Sequence, residues 1–124
     1  MQKNFTHTVL TLAWIALTAG LFSLAGIDSA HAHPPRDVTI HYDLAQQALS
    51  ATISHKTTFS SIHYIESVTI TRNGVVLLAE KYSDQPKEAP ITYTYPVSAV
   101  AGDVLEVEAT CNVFGSKKAT ITVE

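Results

Sequence analysis

From Val38 onward the chain alternates apolar and polar side chains with a period of two. Val38, Ile40 and Tyr42 alternate with Thr39, His41 and Asp43, and Leu49, Ala51 and Ile53 alternate with Ser50, Thr52 and Ser54. Both runs have the signature of a strand with one buried face. Residues 64–71 predict a third strand, closed by Asn73-Gly74, a dipeptide suited to the type I′ hairpin turn because both positions need positive φ. Residues 75–82 predict the returning strand, and residues 83–89, with Pro86, a polar loop. A fifth strand is expected over 91–97, then a turn at Ala101-Gly102-Asp103. Leu105, Val107, Ala109 and Cys111 next alternate against Glu106, Glu108 and Thr110, and residues 120–123 predict the last strand. About seven short strands at this spacing, with no helical period between them, predict an all-β, immunoglobulin-like sandwich.

Upstream of Val38 the pattern is different. Lys3 precedes an apolar run over 9–24, and Asp28-Ser29-Ala30-His31-Ala32 follows. A charged start, a hydrophobic middle and a small-x-small site form the layout of a secretory signal. Ala30 and Ala32 occupy the small positions, so cleavage is expected after Ala32. The competing assignment is an uncleaved anchor, but the run falls short of the roughly 20 apolar residues that span a bilayer, and Thr11, Thr18 and Gly20 interrupt it. This predicts a signal peptide over 1–32, a single domain over 33–124, and a periplasmic or secreted product with no membrane association after cleavage. The net charge of −3 is mild and the cations are scattered, with Lys117-Lys118 the one adjacent pair. No basic stripe for nucleic acid or an anionic membrane surface is present.

The domain holds little that could carry chemistry. It has His33, His41, His55, His63 and the chain's one cysteine, Cys111, and it has no phosphate-cradling glycine loop, nucleophile elbow or CxxC pair. A lone cysteine in an oxidising compartment cannot close an internal disulfide, so it is buried, metal-bound or paired with another chain. By strand parity Cys111 shares the inward face of Leu105, Val107 and Ala109, and His55 that of Leu49, Ala51 and Ile53. His63 opens the next strand beyond a short loop, whereas His41 falls on the polar face of its own. Thiolate plus imidazole suits iron, zinc or copper rather than magnesium or calcium. A core thiol with two surface histidines is the alternative.

The order His55…His63-Tyr64-Ile65-Glu66, then Gly102-Asp103, then Cys111-Asn112-Val113-Phe114-Gly115 resembles the catalytic domain of the desulfoferrodoxin/superoxide reductase family. The resemblance runs from about Val38 to the end of the chain. It implies an immunoglobulin-like sandwich with iron held at one end by four histidines and one cysteine thiolate. Carried over, His55 and His63 are two of those histidines and Cys111 is the thiolate, with His33 or His41 standing where the family has its early histidine. The resemblance also implies superoxide reduction and a redox partner protein. Phe114 stands where the family has its last histidine, and Arg36 is the nearest cation to the position of its early lysine.

Two other readings follow from the same residues. Cleavage after Ala32 would leave His33 with a free α-amine, and amine plus imidazole can chelate copper; Pro34, lacking an amide N–H, excludes the next backbone nitrogen. Small periplasmic copper carriers begin with histidine-proline on a similar sandwich. The Z subunit of the sulfur-oxidation carrier complex is also similar, and it implies a module that works by holding a partner chain, with Tyr64, Tyr82, Tyr93 and Tyr95 as candidate contact residues.

Overall fold

The computed structural model describes residues 33–124, and the expected signal segment lies outside the described residues. Seven strands follow one another: β1 Asp37–Asp43, β2 Ala48–Ser54, β3 Ile65–Arg72, β4 Val75–Lys81, β5 Ile91–Pro96, β6 Val104–Cys111 and β7 Ser116–Thr122. They form two antiparallel sheets in the orders β1-β2-β5 and β4-β3-β6-β7. This is the immunoglobulin-like sandwich that the alternation predicts, with no helix among the described residues.

The period-two pattern translates directly into burial. Leu49, Ala51 and Ile53 of β2 face Val68 and Ile70 of β3 and Leu105, Val107 and Ala109 of β6 in one core, all fully buried. The two inner faces supply this core in alternate positions, as sheet-on-sheet packing requires. Asn73 and Gly74 adopt φ of 51° and 81°, so Arg72 pairs with Val75 across a two-residue loop. Tyr95 is buried and Tyr82 and Tyr93 lie against the core, the first two joined by a 2.7 Å hydroxyl–hydroxyl hydrogen bond. These three rings therefore serve packing more than surface.

One boundary moves appreciably. The last strand begins at Ser116, four residues before the alternation becomes apolar, because β6 pairs with β7 from Val104↔Thr122 to Thr110↔Ser116. Lys117 and Lys118 thus belong to an exposed edge strand, where charge discourages pairing with another chain. Lys118 also donates to Glu106 across the ladder at 2.9 Å.

Strand direction decides which residues meet. The end of β2, the start of β3 and the end of β6 all lie at one end of the sandwich, where Ile65 pairs with Cys111. The hairpin at Asn73-Gly74 and the turn at Gly102 lie at the opposite end.

Candidate metal centre

His55 follows directly on β2 and continues its inward parity, so its ring enters the interior with 2% of its surface exposed. A buried imidazole needs its nitrogens satisfied, and Gln85 satisfies one. His55 Nδ1 lies 2.7 Å from Gln85 Oε1, the same oxygen accepts the Ile65 N–H at 3.0 Å, and Gln85 Nε2 donates to the His55 carbonyl at 2.8 Å. An amide oxygen can only accept, so Nδ1 carries the proton and Nε2 presents its lone pair. The loop over 83–89, read from its polar composition as solvent-facing, thus sends one buried side chain under the site. No local pattern marks Gln85 among its polar neighbours.

His63 is placed by Asn112. The Asn112 side chain accepts the Tyr64 N–H at 2.9 Å and donates to the Ile62 carbonyl at 3.1 Å, gripping the residues on either side of His63. The Asn112 N–H donates to the Tyr64 carbonyl at 3.0 Å, and the His63 N–H closes a turn on the Phe59 carbonyl at 3.0 Å. Asn112 immediately follows Cys111, so the grip also sets the distance between imidazole and sulfur. The sequence motif contains this asparagine, but its role appears only when the two loops meet.

Cys111 is 4% exposed and forms no disulfide. The Val113 N–H points at its Sγ at 3.4 Å, within a tight turn closed by Cys111 N–H to the Gly115 carbonyl at 2.9 Å. Gly115 has φ of +75°, and a Cβ there would stand 2.8 Å from Pro34 Cβ, so glycine is required both by the turn and by the segment crossing it.

These three side chains converge. One donor atom from each of His55, His63 and Cys111 lies within 4.8 Å of the others. The two imidazoles meet edge to face with centroids 4.6 Å apart, and both Nε2 atoms are buried without a hydrogen-bond partner. Burial, chiefly, and the neighbouring His55 hold the His63 imidazole below its ordinary pKa, while a hydrogen bond with the His33 backbone pulls the other way. Two unprotonated, unpartnered imidazole nitrogens facing a thiol are a costly arrangement unless something binds them. An ion at the centre of an equilateral triangle of that side would lie about 2.8 Å from each donor, against roughly 2.0–2.3 Å for imidazole and thiolate bonds. A contraction of about half an ångström per donor closes the site.

The other histidines are placed differently. His33 lines a cleft of about 660 Å³ with Arg36, His55, Lys56 and Lys117, on one flank of the centre. His41 lies exposed on β1 opposite Ser50 and borders a separate depression with Ile121 and Thr122. Phe114 is 64% exposed, and its phenyl ring offers no donor. The five-donor iron shell implied by the resemblance is therefore represented in the cluster by two imidazoles and the thiolate.

No protein-family model matches the chain, and no curated protein matches it. Among solved structures it is similar to the superoxide reductase (neelaredoxin) from Ignicoccus hospitalis, with 20% identity and a TM-score of 0.47 over 82% of this chain and 89% of that one. A variant of the same protein aligns with 22% identity and a TM-score of 0.44 over 79% and 86%.

Proposed function

We propose that the chain is an exported protein that binds one transition-metal ion through His55, His63 and Cys111. The observation that carries this reading is the convergence of three donor atoms within 4.8 Å, two of them buried imidazole nitrogens with no other partner. Export is supported by Lys3, the apolar run over 9–24 and the small residues Ala30 and Ala32. Iron is supported by the order of the motifs around His55, His63 and Cys111, and the absence of any carboxylate from the cluster argues against magnesium or calcium. Superoxide reduction, which accompanies iron in the resembling family, is disfavoured by Phe114, since a phenyl group replaces one imidazole of the set that holds that iron.

The test is anaerobic titration of the metal-free protein with ferrous iron and, separately, zinc. One equivalent of at least one ion should bind, and binding should be lost in Cys111→Ser and in His55→Ala. Iron, once oxidised, should show a thiolate-to-iron charge-transfer band. A wild-type protein that takes up no metal, iron, zinc or copper, overturns the reading.

A further inference from the structure

We infer that the centre is built for copper, held by the two imidazoles and the thiolate in a three-coordinate arrangement that carries one electron. This rests on the metal-binding reading above and specifies its ion. Two imidazoles and one thiolate, with any further ligand weak or distant, form the donor set of blue copper centres. Structural zinc takes four protein ligands, and the iron shell implied by the family resemblance takes five, whereas the cluster gathers His55, His63 and Cys111 alone among the described residues.

The surroundings agree with that assignment. The Val113 N–H directed at Cys111 Sγ at 3.4 Å stabilises a thiolate, and hydrogen bonding at this sulfur is one of the features that tune a copper potential. Gln85 fixes the His55 tautomer from behind, leaving Nε2 as the donor. The residues flanking His63 and Cys111 on the outside, Ile62, Val113 and Phe114, are apolar, so no carboxylate competes at the rim. Cys111 is buried and is the only cysteine in the chain, so no second thiol is at hand to reduce Cu(II) by forming a disulfide. The three ligands stand on two sheets of one rigid sandwich, at the ends of β2 and β6 and just ahead of β3, which limits the rearrangement between Cu(I) and Cu(II).

The redox step balances without protons. Cys111 loses its thiol proton to solvent when the metal binds, and both imidazoles already present a lone pair. Ferricyanide then removes one electron from the Cu(I) form, giving the Cu(II) form and ferrocyanide, with no bond made or broken in the protein.

The experiment uses the full chain, expressed with its N-terminal segment and purified metal-free under reducing conditions, titrated with Cu(II) after the reductant is removed. One equivalent should produce an intense visible thiolate-to-copper charge-transfer band with narrow copper hyperfine splitting in the electron paramagnetic resonance spectrum. Ascorbate should bleach the band and one equivalent of ferricyanide should restore it. Cys111→Ser, shown by far-ultraviolet circular dichroism to keep its fold, should bind without the band, and His63→Ala should shift or abolish it. Three outcomes overturn the inference. Cu(II) bound without a thiolate band, unchanged in Cys111→Ser, would place copper elsewhere, such as at His33. Release of Cu(I) with a disulfide-linked dimer would show that the site cannot hold Cu(II). Uptake of iron or zinc by the same three side chains with no copper band would leave the metal-binding reading standing and remove copper from it.

Discussion

Gln85 makes all three of its hydrogen bonds beneath the site, to His55 Nδ1, the His55 carbonyl and the Ile65 N–H. Gln85→Ala strips partners from three buried groups at once. It should lower unfolding stability by about 3 kcal/mol, measured in urea, because each buried polar group left unpaired costs roughly 1–3 kcal/mol and water can reach only some of them. Metal affinity should fall about 10–100-fold, the usual cost of losing the group that orients a ligand histidine. Stability and affinity separate in Gln85→Glu. A carboxylate can still accept from His55 Nδ1 but cannot donate to the His55 carbonyl, so affinity should be retained better than stability. Equal loss of both in the two variants would show that Gln85 only packs.

The elements that frame the site are held by turns with distinct demands. Gly115→Ala forces a side chain into the left-handed region and against Pro34 Cβ, whereas Gly102→Ala, at φ of +93°, meets no atom within 4 Å. The backbone cost alone is about 1–2 kcal/mol, so Gly102→Ala should show that much in a thermal or urea melt and Gly115→Ala more, together with weakened metal binding. At the far end, Asp103 accepts the Val100 N–H at 3.0 Å and the Asn73 side-chain amide at 2.8 Å, while Asn73 accepts the Val104 N–H at 2.9 Å. Those hydrogen bonds, with Arg72 nearby, hold the Asp103 carboxyl below the usual carboxylate range. The folded chain therefore binds that proton more weakly than the unfolded chain does. Its stabilisation is present above the unfolded carboxylate pKa of about 4 and is lost as pH falls through the lower folded value. Melts of wild type and Asp103→Asn should differ at neutral pH and converge in strong acid.

For the whole molecule, no covalent cross-link supplements the core, since Cys111 is free and alone. Stability rests on apolar burial between the sheets, at the lower end of the size range where such a core suffices. Leu105 is fully buried at its centre, and Leu105→Ala should cost about 3–5 kcal/mol, much of the roughly 5–10 kcal/mol available to a domain of this size. Its urea midpoint should drop far below that of wild type. The alternation along β2 and β6 was enough to place His55 and Cys111 inward and to define the sandwich, because the pleat turns each side chain by a local rule that depends only on parity. Asn73-Gly74 was equally legible, since its turn is set by the backbone of two residues. The polar start of β7 was not, because Ser116, Lys117 and Lys118 become strand only through the ladder that β6 offers them. Nor were Gln85 under His55 or the grip of Asn112 on the backbone beside His63, which join residues 30 and about 50 positions apart. The sequence by itself determined the strands, their inward faces and the few side chains able to bind a metal, all of which follow from neighbours along the chain. Only the tertiary structure decided that His55, His63 and Cys111 share one point while His41 stands apart, because that depends on how two sheets dock and which strand ends the docking brings together.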